Sequence, residues 1–267
     1  METMHTASSD GSPDTYDASP EVELTLLEYN VYYDNLSPRF PAIAQDIAGA
    51  DPDIGALTEF VSYRSKSIRA QLVGALALQK RQYKFTEDVA GMGNIWTGVI
   101  FYDSLKFQVQ MHGTEVYKDA VNQHDPRGFC WAVLRHVATQ RDFLVYGTHP
   151  VSVLVGAGVA TYFQVRNAAQ LLDHASHMRG LPTIVLGDLN CTPLGPSLRS
   201  YLGNFVDTYA GKPPRGTLRS DPHARIDFIL VAKEKFQVMS ADILSGAVGG
   251  SDHFPVVAQV KALGALV

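Results

Sequence analysis

Apolar runs typical of strands alternate with helical patterns in the first third of the chain. The segment "EVELTLLEYNVYY", from Glu21 to Tyr33, predicts a buried strand, and "DPDIGALTEF" predicts a short second strand with Glu59 at its end. A helical pattern follows each strand, the second one starting near Ser65. The apolar residues that share one face are Phe40, Ile43 and Ile47 in the first helix and Ile68, Leu72 and Leu76 in the second.

The middle of the chain is rich in predicted strands, with turn residues between "TGVIFYDS", "KFQVQM", "GFCWAVLRHV" and "DFLVYGTHP". A third helix follows, and its spacing predicts one face made of Tyr162, Val165, Ala169 and Leu172. The strand in "PTIVLGDLNCTP" comes next, and "RIDFILVA", "FQVMSADIL" and "FPVVAQV" predict three strands that close the chain.

Helices follow only the first two strands and the "THP" strand, while the other strands are typical of hairpins. This order favours an α/β protein of two mixed β-sheets packed face to face, with helices outside. Hydrophobic residues make up 46% of the 267 residues, which is enough for a substantial core. We interpret residues 21–267 as one domain. Residues 1–20 are polar and acidic, so we expect a disordered tail.

The formal net charge of -5 gives no electrostatic footprint for broad nucleic-acid binding. A nuclease whose metal supplies local positive charge remains compatible with it. Two cysteines, Cys130 and Cys191, form neither a disulfide framework nor a zinc ligand set. The sequence shows no signal peptide and no transmembrane run. We therefore expect a monomer in the cytoplasm, and a secreted protein without disulfides is the alternative.

Polar residues with metal or acid–base chemistry stand at or near the ends of five apolar strands. These residues are Asn30, Glu59, His149, Asp188 with Asn190, and Asp227. A sixth cluster, Ser251-Asp252-His253, directly precedes the last strand. Because strand ends on one edge of a sheet converge in space, the pattern predicts one site rather than six unrelated positions.

The residue types of this site suit a hard cation. Carboxylates and amides without cysteine favour Mg²⁺ or Mn²⁺ over zinc, and magnesium leaves positions for phosphate oxygens. His149 and His253 can donate to a phosphate or move protons near neutral pH. A carboxylate beside a histidine orients it and raises its basicity.

Each residue taken singly also has a structural interpretation. Asp188 and Asn190 could belong to a turn, Glu59 could be a solvated strand end, and Asp227 could pair with Arg225. Asn30 could form hydrogen bonds with nearby backbone groups, and His149 could be a loop histidine whose hydrogen bonds are all made within the protein. The order and strand context of the whole set favour the functional interpretation.

Six motifs occur in the order "EYN", "LTE", "THP", "GDLN", "RIDFIL" and "GSDHFPV", between Leu24 and about Val260. Together they resemble the endonuclease/exonuclease/phosphatase superfamily, and "GDLN" and "SDHFPV" are the most specific. Deoxyribonuclease I, sphingomyelinases and inositol polyphosphate 5-phosphatases belong to it. The resemblance implies a four-layered αββα sandwich that hydrolyses a phosphoester with a divalent metal.

The resemblance also implies roles for the polar strand ends. Glu59 would be the principal metal carboxylate, assisted by Asn30 and Asp252. Asp188 and Asn190 would position the attacking water and the phosphate.

For the histidines, the resemblance implies that His253, oriented by Asp227, is the general base or a phosphate ligand. His149 would stabilise the transition state or help to protonate the leaving group. Tyr102 in "IFYDS" resembles a strand-end tyrosine that contacts phosphate. Arg166 and Gln170 resemble a family "R…Q" spacing of structural support.

Two positions depart from the family pattern. Thr58 stands where Gln commonly precedes the metal Glu, and Pro150 stands where Leu commonly follows the motif His. The segment "GTLRSDPHARIDFILVAKE" is most similar to the generic bacterial-type metal-dependent hydrolases of the family.

Three functional hypotheses follow. The first is a Mg²⁺- or Mn²⁺-dependent phosphodiesterase of the endonuclease type, with DNA as the first candidate among nucleic acids. The acidic balance favours the second, a phosphoesterase of a lipid headgroup, nucleotide or sugar phosphate. The third is an inactive binding module on the same fold. Tyr33, Trp96 and Phe163 could stack on a base or an apolar group, and Trp96 could equally be a packing residue.

Overall fold

The computed structural model describes residues 20–34, 36–60, 66–86, 95–119, 126–152, 156–178 and 180–264, with the backbone alone for 66–68. Apart from Pro20, the predicted tail lies outside these residues. The elements in chain order are β1 (Val22–Asn30), α1 (Leu36–Ala50), β2 (Ile54–Thr58), α2 (Lys66–Leu78), β3 (Tyr83–Phe85), β4 (Gly98–Asp103), β5 (Phe107–Val116), β6 (Gly128–His136), β7 (Asp142–His149), α3 (Ala157–His177), β8 (Thr183–Asp188), α4 (Pro196–Tyr201), β9 (Phe205–Asp207), β10 (Asp227–Ala232), β11 (Phe236–Ile243) and β12 (Val256–Ala262).

The first sheet has the strand order β11-β12-β1-β2-β4-β3. At its centre β1 and β2 are parallel, and the other neighbours are antiparallel. The register places Asn30 beside Thr58. The carboxyl ends of the parallel pair therefore reach the same edge of the sheet.

The second sheet has the order β5-β6-β7-β8-β10-β9, and its parallel pair is β7 and β8. Thr148 lies beside Gly187, which brings His149 and Asp188 to one edge. Because β10 runs antiparallel to β8, it begins where β8 ends, and its first residue, Asp227, pairs with Asp188.

Three apolar clusters hold four layers together. The cluster between the sheets includes Ile54, Val145 and Ile229. α1 and α2 pack on the outer face of the first sheet, and α3 and α4 pack on the outer face of the second. The predicted sandwich of two mixed sheets flanked by helices is confirmed.

The first two helices bury the predicted faces. Phe40, Ile43 and Ile47 are buried in α1, and Leu72 and Leu76 are buried in α2, whereas the side chain of Ile68 lies outside the described residues. The pattern did not reveal β3, β9 and α4, which are too short to show a period. In the described residues, no helix has the length and apolar character needed to cross a bilayer.

The face predicted for α3 is not the buried one, although Leu172 is half-buried and packs against the outer cluster of the second sheet. Tyr162 and Ala169 are exposed. The buried residues of the helix are Ala160, Gln164, Asn167, Ala168 and Leu171. Two amides thus lie on the buried side of the helix, whereas a hydrophobic pattern assigns such residues to the solvent side.

Candidate active site

The two sheets come into close contact at the edge where the parallel pairs end. Gly98 of β4, which pairs with Thr58, faces Gly147 of β7 in the other sheet. A Cβ atom on Gly147 would lie 2.0 Å from the carbonyl oxygen of Gly98, so a side chain has no room there. This close approach lets polar groups of one sheet reach those of the other.

Asn30 connects the two sheets. Its Nδ2 donates to Asp188 Oδ2 at 3.0 Å and to Glu59 Oε1 at 3.2 Å, and its Oδ1 accepts the backbone N–H of Tyr32 at 3.0 Å. Glu59 adopts a left-handed conformation with φ of 58°, and its Oε2 accepts the backbone N–H of Tyr33 at 3.2 Å. One amide thus holds carboxylates from both sheets.

Asp188, Asp227 and His253 form a buried cluster in which one ligand atom of each residue lies within 4.8 Å of the others. His253 Nδ1 lies 2.8 Å from Asp227 Oδ2, and Asp188 Oδ1 accepts the backbone N–H of Asn190 at 2.8 Å. The alternative partner of Asp227, Arg225, binds Asp207 instead, with Nη–Oδ distances of 3.1 and 2.5 Å.

The pKa values of Asp188 and His253 are shifted in directions that suit proton transfer. Burial, followed by the negative charge of Asp227, raises the pKa of Asp188 to about 7. Burial alone would lower the pKa of His253, but the charge and hydrogen bond of Asp227 outweigh it and raise the pKa to about 10. Near neutral pH, His253 is therefore a cation that donates Nδ1–H to Asp227 and keeps a proton on Nε2.

His149, by contrast, is a neutral imidazole. It is 2% exposed, and its Nε2 lies 3.0 Å from Arg127 Nη1 and 3.6 Å from Asp188 Oδ2. Burial, followed by the positive charges of Arg127 and His253, lowers the pKa of His149 well below its usual range. Its Nδ1 is buried without a hydrogen-bond partner among the described residues, which is not the environment of a satisfied loop histidine.

The other two predicted residues lie beside the cluster. Asn190 has a φ of 52° and is 7% exposed, and one N–H of its Nδ2 donates to the Pro150 carbonyl at 3.2 Å. Asp252 has a 53% exposed side chain, with Oδ1 4.0 Å from His253 Nε2. Between Asn30 and His253, Ser251 Oγ donates to the Asn30 carbonyl at 2.6 Å and accepts the His253 N–H at 3.1 Å.

Tyr102 is not part of this site, and its predicted contact with phosphate is wrong. β4 has Gly98 at the site edge, whereas Tyr102 pairs with Ile54 at the opposite end of β2. The two positions are four residue steps apart along the strand, a distance of roughly 13 Å. Tyr102 is instead buried in the core between the sheets. The sequence "IFYDS" does not show which end of β4 lies at the site.

Two further residues of the site were not predicted. Arg127 lies between His149 and the Trp96 ring, with its guanidinium 5.1 Å from the ring centroid. Its position before the strand "GFCWAVLRH" carries no motif that could have revealed it.

Glu28 is the second of these residues, and it is fully buried. Its Oε1 accepts the Thr58 hydroxyl at 3.0 Å. Burial, followed by the charges of Asp227 and Asp188, raises its pKa well above the usual range. The departure from the family pattern at Thr58 thus accompanies a further buried carboxyl group, in addition to those of Asp188 and Asp227. The spacing of Glu28 and Asn30 in "EYN" was a signal for it, because residues two apart share a strand face.

Two aromatic rings border the site. Tyr33 is 49% exposed, and its ring meets Trp96 edge-on with centroids 5.3 Å apart. The half-buried Trp96 ring in turn lies 6.1 Å from the His149 ring. Trp96 is therefore both a packing residue and a part of the site's rim.

The Endonuclease/Exonuclease/phosphatase family model matches residues 27–253 of the chain. A protein of this family from Bacteroides thetaiotaomicron is 20% identical, with a TM-score of 0.74 over 92% of this chain and 97% of that one. A mannosyl-6-phosphatase from Bacteroides thetaiotaomicron VPI-5482 is 21% identical, with a TM-score of 0.70 over 89% and 99% of the two chains. D. rerio TDP2, complexed with single strand DNA product, is 16% identical, with a TM-score of 0.68 over 89% and 98%. Among curated proteins no match was found.

At these identities the solved structures show the fold alone. The family model is more informative, because the matched residues run from β1 to His253 and include every polar strand end described above. The match agrees with the arrangement of two mixed sheets whose parallel pairs meet at one edge. The chain therefore belongs to the Endonuclease/Exonuclease/phosphatase family, a family of phosphoester hydrolases.

Proposed function

We propose that the chain is a divalent-metal-dependent phosphoesterase that cleaves a phosphodiester by in-line attack of water. The observation that carries this proposal is the buried cluster of Asp188, Asp227 and His253, joined through Asn30 to Glu59. It places a proton acceptor with a pKa near neutrality beside a cationic hydrogen-bond donor, the two groups that hydrolysis of an anionic ester requires.

In this mechanism Asp188 accepts the proton of the attacking water. Its carboxylate is held on one oxygen by the Asn190 N–H and on the other by Asn30 Nδ2, so its orientation is set before substrate binds. His253 donates Nε2–H to a phosphate oxygen, and Asp227 holds the opposite side of the ring. Arg127, whose Nη1–H is held by Nε2 of neutral His149, would stabilise the negative charge that develops in the transition state.

The side chains fit a hard cation, Mg²⁺ or Mn²⁺. Glu59 and Asp252 offer carboxylate oxygens on the solvent side, whereas His253 Nδ1 is already bonded to Asp227. Glu59, with Asn30 and Asp252, would therefore hold the ion. The raised pKa of Asp188 is also what carboxylates show before a cation compensates their charge. When bound, the cation would polarise the phosphoryl oxygen and neutralise developing charge.

Nucleic acid is the first substrate candidate. Tyr33 and Trp96 support it, because aromatic rings beside a phosphate site can stack on the base of the esterified nucleotide. In this candidate the enzyme is an endonuclease-type phosphodiesterase acting on DNA.

A small phosphoester is the second candidate, and the arginines near the site favour it. Arg39 donates to the carbonyls of Tyr32 and Gly249, and Arg219 donates to the Ala247 carbonyl at 2.7 Å while it stacks on Phe254. Because N–H groups of these guanidiniums are used on backbone carbonyls, fewer of them are left for direct contacts to the phosphates of a polyanion.

The proposal is tested with Mg²⁺ or Mn²⁺, with an EDTA control, on three substrates. They are bis-p-nitrophenyl phosphate, supercoiled plasmid DNA and mannose 6-phosphate. We expect metal-dependent release of p-nitrophenol. Plasmid nicking would select the first candidate, and turnover of the sugar phosphate without nicking would select the second. Metal binding without turnover of any substrate would contradict the proposal and favour an inactive binding module.

A further inference from the structure

The buried face of α3 contains two amides, Gln164 and Asn167, which are 3% and 1% exposed. They stand among small and apolar residues, Ala160, Ala168 and Leu171. Burying an amide costs free energy unless each polar group finds a partner. The burial of these two amides therefore requires a compensating set of hydrogen bonds.

Gln164 makes its bonds to both loops that follow the parallel pair of the second sheet. Its Nε2 donates to the Val151 carbonyl at 2.9 Å and to the Asn190 carbonyl at 2.8 Å. Val151 lies two residues after His149, and Asn190 lies two residues after Asp188. Both N–H bonds of one amide are thus used to join the two loops that carry site residues.

Backbone hydrogen bonds between β7 and β8 cannot join these loops, because the pairing of the two strands ends at Thr148 and Gly187. Beyond that point Gln164 joins the two loops through its two bonds, and Asn190 Nδ2 adds a bond to the Pro150 carbonyl. Asn190 also has the left-handed φ of 52°, which its surroundings have to hold in place.

We propose that Gln164 is a positioning residue that holds the His149 loop and the Asp188–Asn190 loop at the separation needed for hydrolysis. It acts through the two backbone carbonyls and does not touch substrate. The kinetic part of this inference rests on the proposed function, and its structural part does not.

Asn167 provides a matched control on the same helix face. Its Nδ2 donates to the Asp119 carbonyl at 3.1 Å, in a segment that carries none of the site residues. Gln164→Met and Asn167→Leu each replace one buried amide with an apolar side chain of similar length. Both variants should lose some thermal stability, because each leaves backbone carbonyls without a donor.

We expect Gln164→Met to lower kcat by about 10- to 100-fold with less than about a threefold change in KM, because small displacements of catalytic groups have effects of this size. Asn167→Leu should keep kcat within about twofold of the original. Gln164→Asn, which is shorter by one methylene and can reach at most one carbonyl, should fall between. Equal kcat in the original protein and both Gln164 variants would overturn the inference.

Hydrogen exchange of the metal-free protein separates this inference from the proposed function. Gln164→Met or Gln164→Asn should increase backbone exchange in residues 149–152 and 188–191, and Asn167→Leu should not. If this pattern appears but the original protein hydrolyses no phosphoester, only the proposed function fails. If hydrolysis occurs but exchange in these loops is the same in all variants, the role of Gln164 is wrong.

Discussion

The first sheet brings Asn30 and Glu59 to the site from one parallel pair of strands, and the second brings His149 and Asp188 from another. The topology is alike, and Asn30 is fully buried like the second pair, but the carboxylates at the strand ends differ in exposure. His149 and Asp188 are each 2% exposed, whereas Glu59 is half-buried and Asp252, before β12 of the first sheet, has a 53% exposed side chain. Buried groups acquire shifted pKa values, while carboxylates near solvent leave a path for a cation.

The helices behind the two sheets support the site with different chemistry. α1 uses Asp46, whose carboxylate accepts the backbone N–H groups of Val248 at 2.8 Å and Gly249 at 2.7 Å, next to Ser251. α3 uses Gln164, which donates to carbonyls. An ionised carboxylate can only accept hydrogen bonds and an amide can donate them, so each helix carries the group that its loop requires.

The largest effect is expected from the proton-transfer groups. Asp188→Ala or His253→Ala should lower kcat by about 10³-fold, because each removes a group that acts on the water or the phosphate. Asp142→Ala is the control, since this carboxylate starts β7 at the far end of the second sheet, where it pairs with Arg135 at 2.7 Å. An Asp188→Ala protein that keeps its activity at saturating Mg²⁺ would contradict the assignment.

On the first sheet, Glu59→Gln keeps the shape of the side chain and removes its charge. We expect kcat to fall by about 10²-fold and the Mg²⁺ concentration for half-maximal activity to rise, because the ion loses its main carboxylate. A magnesium titration of the reaction measures both. An unchanged titration midpoint would indicate that Asp188 and Asp227, rather than Glu59, hold the cation. The first sheet would then not be the one that supplies the metal carboxylates.

The buried carboxyl of Asp188 should make the metal-free protein less stable as pH rises. Its folded pKa of about 7 lies above an unfolded value of about 3.9, so the folded state binds more protons between these values and loses stability across that window. Asp188→Asn should therefore raise the free energy of unfolding at pH 8 by on the order of 2 kcal/mol, with little change at pH 4. Urea unfolding in EDTA tests this. The same change at both pH values would show that the pKa of Asp188 is not raised.

At the rim, Tyr33→Leu should lower kcat/KM for DNA by about five- to tenfold through the loss of stacking, with less effect on mannose 6-phosphate. Tyr162→Leu removes another exposed tyrosine, from the solvent side of α3, and should have no effect. Equal losses on both substrates would mean that the Tyr33 side chain serves to position the Tyr33 backbone N–H against the Glu59 carboxylate and does not recognise a base.

The smallest effect is expected at Tyr102. Tyr102→Phe should keep kcat within about twofold of the original, because the residue lies in the core at the far end of β2. A loss of kcat comparable to that of His253→Ala, without a loss of stability, would show that the Tyr102 hydroxyl does take part in the reaction.

The polar strand ends could be predicted because each interrupts an apolar run. Asn30, His149 and Asp188 follow or end buried strands, and this alone indicates that they share an edge. The buried face of α3 could not be predicted, because burial of Gln164 depends on carbonyls in two distant loops. Arg127 likewise becomes a site residue only through its contacts with His149 and Trp96.

Local alternation and short motifs in the sequence were enough to predict the order of the longer strands and helices, the αββα class and most of the polar residues of the candidate site. Tertiary packing is needed to know which end of β4 lies at the site, which face of α3 is buried, and that the pKa values of Asp188 and His253 are both raised. Those properties depend on burial and on charges from other strands, and neither is encoded in the spacing of neighbouring residues.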